Sequence, residues 1–207
     1  MEILTRIGIL GGTFNPVHYG HLILAQNAIE SFDLAKVLMI PCSTPPHKNN
    51  QNMLPARHRI AMLELAIEGD FRLEISNVEI KRGGISYAID TIRELHQIYR
   101  RAELCFIIGT DTLMELHLWK DIGELLKLCR FISFDRPGFE IGDVNPTSLK
   151  LDASNAEQLI GDMAKGCRVE ISSSDIRHRI AEGMSIRYLV PRTVEMYIAE
   201  HSLYQAS

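Results

Sequence analysis

Ile7-Gly8-Ile9-Leu10-Gly11-Gly12-Thr13-Phe14-Asn15-Pro16-Val17-His18-Tyr19-Gly20-His21 is the stretch from which the rest of the chain is read. The apolar run Ile7 to Leu10 reads as a buried strand, roughly Arg6–Leu10. Gly11 and Gly12 break it. Lacking Cβ atoms, they let backbone N–H groups come close to a ligand. A loop follows, and His18-Tyr19-Gly20-His21 then opens an amphipathic helix, roughly His18–Ser31, with Leu22, Leu24, Ala25, Ala28 and Ile29 as its apolar residues. The start of a helix carries unpaired N–H groups and a partial positive charge, so it favours anions. His18 and His21 stand at that end, placed to donate to phosphate oxygens.

A tight turn with two surface histidines accounts for the same residues taken singly. Histidines three apart also share a helix face and suit a metal. No third ligand stands nearby in sequence, so phosphate ranks above metal. Neither G-x-G-x-x-G nor G-x-x-x-x-G-K-[ST] is present, which counts against a nicotinamide-dependent dehydrogenase.

The 207 residues suffice for one α/β domain with a well-buried core. Hydrophobic residues make up 46% and charged residues 23%, the balance of a soluble globular protein. A net charge of −4 argues against a general nucleic-acid binder, whose footprint is basic. Cys42, Cys105, Cys129 and Cys167 form no C-x-x-C pair, and Cys105 and Cys129 fall in or beside apolar runs expected to bury them. There is no signal-peptide pattern and no apolar run long enough for a membrane span, which gives the cytoplasm as the expected location. A homo-oligomer is left open.

Outward from the first motif, apolar runs of strand length alternate with amphipathic segments. Val37–Ile40 is a strand, left through a Pro- and Asn-rich loop, Pro41 to Asn52, that carries His47 and Lys48. Pro55–Glu68 is a helix with Pro at its start. Phe71–Ile75 and Val78–Ile80 read as short strands. Ser86 caps a helix, Tyr87–Tyr99, whose free N–H groups suit an acidic substrate group; an ordinary N-cap with a dipole-favoured Asp90 explains Ser86 and Asp90 equally well. Leu104–Ile108 is a buried strand ending in Gly109-Thr110-Asp111, where Asp111 is either a ribose acceptor or the next helix's cap. Trp119, the one tryptophan, is either core or a stacking surface for a flat ring. Cys129–Phe134 is a strand. Residues 139–156 are polar and irregular, 157–164 helical, and Val169–Ile171 a last strand. This runs into Ser172-Ser173-Ser174-Asp175-Ile176-Arg177, where hydroxyls, helix N–H groups and a guanidinium converge as a polyphosphate site requires. Pro191–His201 is a closing amphipathic helix. Strand–helix alternation without an internal repeat or linker gives one domain, residues 1–207, built on a single doubly wound, mostly parallel sheet of Rossmann-like kind.

Gly11 to His21 together resembles the signature of the HxGH nucleotidyltransferase superfamily, and Ile171 to Arg177 resembles its I-S-S-T-x-I-R motif. Pro45-Pro46-His47-Lys48, Ser86-Tyr87-Ala88-Ile89-Asp90-Thr91, Gly109-Thr110-Asp111 and Trp119 resemble the bacterial nicotinate-nucleotide adenylyltransferases. The match runs in order through nearly the whole chain. Ser174 stands where Thr is commoner, Thr110 where Ala is commoner, and Ala88 where Thr is commoner; the last removes a polar contact from the place expected to hold the pyridine carboxylate.

The resemblance implies adenylyl transfer from ATP to nicotinate mononucleotide, giving nicotinate adenine dinucleotide and pyrophosphate in NAD synthesis. It implies direct attack by the mononucleotide phosphate, with Mg²⁺ carried on the triphosphate and no metal ligand from the protein. By family correspondence His18, His21 and Arg177 are the catalytic residues. ATP is held by Gly11, Gly12, Thr13, Phe14, His18, His21, Ile171, Ser172, Ser173 and Arg177. Nicotinate mononucleotide is held by Phe14, His47, Lys48, Ser86, Tyr87, Ala88, Asp111 and Trp119. Sister adenylyltransferases for nicotinamide mononucleotide or phosphopantetheine share the glycine and histidine motifs. A catalytically silent nucleotide-binding module of the same fold would be expected to lack His18, His21 or Arg177.

Overall fold

Alternating faces explain how the first strand sits in the sheet. Successive side chains of a strand point to opposite sides, and in β1 (Thr5–Gly12) Ile7 and Ile9 pack to one side while Leu10 packs to the other. Both faces are apolar, as a parallel strand covered by helices on both sides requires. Gly8 lies on the Leu10 side, where a Cβ would come within 2.8 Å of Leu34 and Val37 side-chain atoms and 3.0 Å of Ile107; those three side chains close over β1 there because Gly8 has none. The structure is a computed structural model and describes residues 5–46, 53–135, 144–167 and 169–205.

Among the described residues the strands are β1, β2 (Lys36–Pro41), β3 (Leu73–Ile75), β4 (Ala102–Gly109), β5 (Arg130–Phe134) and β6 (Met163–Ala164), in one sheet of order β3-β2-β1-β4-β5-β6. Every pairing is parallel, with Gly8 opposite Val37 on one side and Cys105 on the other. The helices are α1 (Tyr19–Phe32), α2 (Ala56–Ile67), α3 (Val78–Arg82), α4 (Ala88–Ile98), α5 (Thr110–Glu115), α6 (Ile122–Leu128), α7 (Ala153–Gly161), α8 (Ser173–Ala181) and α9 (Arg192–Glu200). On one face α1, α2, α8 and α9 pack around Leu10, Val37, Met39, Ile107 and Phe134. On the other, α4 to α7 pack around Ile9, Leu38, Ile40, Phe106 and Phe131. The strand order reverses between β1 and β4. In open α/β sheets that is where a crevice forms at the carboxyl ends of the strands. No helix of the described residues is long and apolar enough to cross a membrane.

Several expected elements are corrected. The glycines do not break β1: it runs on through Gly11 and Gly12, paired with Ile40 and Pro41. Residues 78–80 are helical, not extended. Three residues are too few for alternation to decide. Glu79 in the first turn and Lys81 and Arg82 in the last complement the helix dipole, and Gly83 ends the helix at φ +69°. Residues 169–171 form no strand, because β6 already occupies the sheet edge beside β5. The helix expected at 157–164 is α7, which starts earlier, at Ala153, behind the cap Asp152 whose side chain accepts from Asn155 N–H at 3.0 Å, and ends at Gly161; Met163 and Ala164 are strand β6 instead. The strand expected at 71–75 contracts to Leu73–Ile75.

Candidate active site

A cleft of about 300 Å³ opens at the reversal point, lined by His18, Gly20 and His21 from the start of α1 and by Gly109 and Asp111 from the end of β4 and start of α5. Ile171, Ser172 and Asp175 line it from the start of α8. Two helix starts therefore face one cavity, each contributing positive dipole charge.

His18 is the residue before the first turn of α1, in extended conformation and only 5% exposed. Its N–H donates to His21 Nδ1 at 3.3 Å. A nitrogen that accepts carries no proton, so this bond puts the His21 ring proton on Nε2. The two imidazoles stack at 3.8 Å between centroids, and Phe14 meets His21 edge-on at 4.9 Å. Gly20 makes the stack possible. A Cβ there would lie 2.9 Å from His18 Nδ1, 3.0 Å from its Cε1 and 3.5 Å from the Ile171 carbonyl oxygen. One first-turn donor that the sequence offers an anion is already taken, since Tyr19 N–H donates to the Leu189 carbonyl at 3.0 Å. The anion-binding capacity of this end thus rests on the imidazoles and the dipole more than on a full set of backbone donors.

Phe14 is completely buried with φ +46°, its ring beneath Gly12 and His21. Phe14 is not among the residues that line the cleft, and neither are Gly11, Gly12 and Thr13. Gly11 and Gly12 sit at the end of β1. A Cβ at Gly12 would touch the Phe14 ring at 3.4 Å, while one at Gly11 would meet only Phe106 at ordinary distance.

The second motif is stitched to the first. Ser173 Oγ donates to the Pro16 carbonyl at 2.8 Å, and Arg177 Nη1 donates to the Asn15 carbonyl at 2.8 Å. Arg177 Nη2 donates to Ser174 Oγ at 3.1 Å. These bonds use two of the five donors of a guanidinium. Ser172 caps α8, accepting from Asp175 N–H at 3.0 Å.

The remaining expected residues gather elsewhere at the same strand ends. Trp119 stands edge-on to Phe106 and Phe131, at 5.5 and 6.0 Å between centroids, and is part-buried. Its neighbour Lys120 lies over the Tyr87 ring at 4.4 Å and 3.7 Å from Asp90. The Trp119 turn and the start of α4 are thereby adjacent. Ser86 does not cap that helix. Tyr87 is the cap position, and Ser86 Oγ instead accepts from Ser43 N–H at 2.9 Å. Asp111, expected with the mononucleotide, lines the cleft that holds His18 and Ser172. His47 and Lys48 lie outside the described residues.

Four features around the cleft and the neighbouring strand exits escaped the sequence reading. Arg59 is 1% exposed and donates to three carbonyls: Leu54 at 3.0 Å, Thr13 at 2.9 Å and Cys42 at 2.8 Å. It locks the exits of β1 and β2 together, and its burial pulls the guanidinium below its ordinary range. Asn15 Oδ1 accepts from Leu54 N–H and Tyr204 O–H, tying the first motif to the end of the chain. Asp135 and Glu170 face the cleft, and Gly166 N–H donates to Asp135. Lys120, over the Tyr87 ring, ties the Trp119 turn to the start of α4. Arg59 falls at helical spacing beside Met62 and Leu63, a signal of inward placement that its charge obscured.

Asp111, Asp135, Glu170 and Asp175 give the cleft an acidic wall. A bare triphosphate would be repelled by it, whereas a triphosphate carrying Mg²⁺ would not. Mg²⁺ characteristically keeps waters and substrate phosphates as ligands, with few from the protein. The described residues include no cluster of three His, Cys, Asp or Glu able to hold a metal alone.

Residues 9–179 match the model of the cytidylyltransferase-like family. A relative from Thermoanaerobacter sp. (strain X514), named "Probable nicotinate-nucleotide adenylyltransferase", is 41% identical over 209 residues, covering 99% of this chain and 97% of its own. One of the same name from Opitutus terrae is 42% identical over 203 residues, covering 98% and 99%. The chain belongs to the nicotinate-nucleotide adenylyltransferase family. The fold of this adenylyltransferase-family chain agrees with that of a solved Plasmodium falciparum nicotinic acid mononucleotide adenylyltransferase complexed with NaAD. The TM-score is 0.75 at 17% identity, over 97% of each chain.

Proposed function

We propose that the protein transfers the adenylyl group of ATP to nicotinate mononucleotide, giving nicotinate adenine dinucleotide and pyrophosphate. The observation that carries this reading is the pair of helix starts facing one cleft, with the His18–His21 stack on one and Ser172 on the other. The relatives' name supplies the acceptor.

An oxygen of the mononucleotide phosphate attacks the α-phosphorus of ATP. The bond from that phosphorus to the bridging oxygen of the β-phosphate breaks, and pyrophosphate leaves with the bond electrons. The nucleophile is already ionised, so no base is required and no covalent enzyme intermediate forms. The chain contributes position and charge stabilisation. His21, its proton held on Nε2 by the bond from His18, donates to phosphate oxygens beside the breaking bond, and His18 supports it. Ser172, Ser173 and Arg177 hold the leaving pyrophosphate, with Ile171 beside them. Gly11, Gly12, Thr13 and Phe14 line the junction of the substrates. Asp111 accepts from a ribose hydroxyl. Trp119 stacks on the pyridine, the Tyr87 and Ala88 N–H groups receive its carboxylate, and His47 and Lys48 take the mononucleotide phosphate. Mg²⁺ bound to the triphosphate neutralises part of its charge.

The test is pyrophosphate release with ATP and Mg²⁺ and, in turn, nicotinate mononucleotide, nicotinamide mononucleotide and phosphopantetheine at matched concentrations. The reading expects kcat/KM for the nicotinate form to exceed the others by tenfold or more. A preference for the amide or for phosphopantetheine overturns the acceptor assignment. No release with any of them overturns the activity.

A further inference from the structure

Asn15 joins the first motif, α8, the approach to α2 and the turn after α9 at one point, and it is only 4% exposed. Its backbone carbonyl accepts from Arg177 Nη1 at 2.8 Å, and the next carbonyl, that of Pro16, accepts from Ser173 Oγ at 2.8 Å. Both bonds hang the second motif on the first. The Asn15 side chain is held in turn. Its Oδ1 accepts from Leu54 N–H at 3.2 Å and from the Tyr204 hydroxyl at 2.8 Å.

The direction of the Tyr204 bond follows from its neighbour. A backbone N–H only donates, so the Asn15 atom that faces Leu54 is the oxygen and not the nitrogen. An amide oxygen only accepts, so Tyr204, which faces the same atom, donates. Burial pushes the Tyr204 phenol above its ordinary range, which keeps that proton in place.

The backbone that delivers Tyr204 is strained. Tyr204 has φ +62° and Ser202 φ +49°, in the left-handed region that bulky residues avoid. Leu203 between them is buried in the core, and its N–H donates to the Ile198 carbonyl at 3.0 Å. The preceding helix, α9, is fixed to α2: Thr193 Oγ1 donates to the Leu65 carbonyl at 3.0 Å, and the Tyr197 hydroxyl lies 3.0 Å from His58 Nδ1. Packing alone does not call for the Tyr204 hydroxyl, since a phenylalanine ring would fill the same space. A strained turn on a fixed support, delivering one hydroxyl to one side chain, points to a place where position matters.

We propose that Tyr204 is a positioning residue for the leaving-group end of the site: by holding the Asn15 amide it fixes the Asn15 and Pro16 carbonyls on which Arg177 and Ser173 are set. This rests on the functional reading above, in which those two side chains hold pyrophosphate. Tyr204 itself touches neither substrate. Removing its hydroxyl leaves Leu54 in place, because Leu54 N–H keeps Asn15 Oδ1 and the Leu54 carbonyl keeps Arg59 Nε at 3.0 Å. The acceptor side is therefore spared, and the effect falls on ATP and pyrophosphate.

The experiment compares the full chain with Tyr204→Phe, Arg177→Lys and the double variant. It measures KM for ATP and for nicotinate mononucleotide, KM for pyrophosphate in the reverse reaction from nicotinate adenine dinucleotide, the dissociation constant of ATP with Mg²⁺ by calorimetry, and Tm. Tyr204→Phe is expected to raise the ATP and pyrophosphate KM values about three- to tenfold, the scale of one net hydrogen bond. The mononucleotide KM stays within about twofold, as for an independent site. Arg177→Lys keeps the charge and loses the planar fork that the Asn15 carbonyl orients. Adding Tyr204→Phe to it is expected to change the ATP dissociation constant by less than about twofold, because both changes cut one path. Calorimetry needs no turnover, so the cycle is read even where Arg177→Lys is inactive. A lower Tm with every kinetic constant unchanged, parallel rises in both substrate KM values, or multiplying effects in the double variant overturn the proposal. Absence of wild-type turnover with nicotinate mononucleotide overturns the functional reading, and this proposal with it. Wild-type turnover with an unsplit variant pattern overturns this proposal alone.

Discussion

Gly20→Ala is the substitution whose outcome the site geometry defines most sharply. The added Cβ would lie 2.9 Å from His18 Nδ1 and 3.0 Å from Cε1. Carbon contacts rest at ~3.5–4.0 Å, so the pair must separate by about half an ångström or more. The His18 ring cannot retreat onto His21, already stacked at 3.8 Å, and the Ile171 carbonyl at 3.5 Å hinders movement of the helix the other way. Relief therefore disturbs the His18–His21 stack and the N–H bond that fixes the His21 proton. A misplacement near 1 Å costs about 10²-fold in a reaction that depends on position. The expected loss in kcat is about 10- to 100-fold. The fold itself changes little, because alanine gains ~0.5–1 kcal/mol over glycine in a helix, against ~1–3 kcal/mol for crowding. A Tm fall of a few degrees is consistent with that difference. Steady-state pyrophosphate release beside a thermal melt separates the two quantities. A kcat within twofold of wild type would refute the idea that the His18 ring position matters to the reaction.

His21→Ala is expected to lower kcat by roughly 10²–10³, the scale for removing one transition-state donor, and a loss under threefold in a folded variant would remove His21 from the reaction. Trp119→Ala is expected to raise the mononucleotide KM and leave the ATP KM nearly unchanged, whereas equal effects on both would make Trp119 a core residue only. Thiol titration of the native protein with an aromatic disulfide should label Cys167, which is exposed at the cleft, and spare Cys105 and Cys129. Burial pushes Cys105 to about 11 and Cys129 higher still, which suppresses the reactive thiolate. ATP with Mg²⁺ should slow labelling of Cys167. Arg72 bonds hold Asp70 below the usual carboxylate range. That pair contributes stability above the unfolded-state pKa and loses it as pH falls through the lowered folded value. Denaturant melts between pH 6 and 2 should show less acid sensitivity in Arg72→Ala.

The sheet was legible because each central strand is an unbroken apolar run and each is followed by a segment of helical period. The histidine motif was legible because local spacing alone puts His18 and His21 on one turn. Val78–Ile80 misled because three residues carry no period; the flanking Gly83 and the charge order of Glu79, Lys81 and Arg82 held the better signal. Val169–Ile171 misled because an apolar pair says nothing about whether the sheet edge is already taken. What the sequence hid was long-range bonding. Arg59 reaching Thr13 and Cys42, and Ser86 reaching Ser43 rather than capping its own helix, join segments whose proximity only the strand order creates. Arg177 shows the same limit. Its place near the phosphate-binding motif was readable, but its bond to the Asn15 carbonyl was not.

The central claim is direct adenylyl transfer between two positioned substrates, and its most direct measurement uses ATP labelled at the α-phosphate. With ATP and Mg²⁺ alone, the account predicts no pyrophosphate above background and no label retained on the protein. On addition of nicotinate mononucleotide it predicts one pyrophosphate for each labelled nicotinate adenine dinucleotide. Label held on the protein before acceptor is added, or pyrophosphate released without dinucleotide, would contradict it.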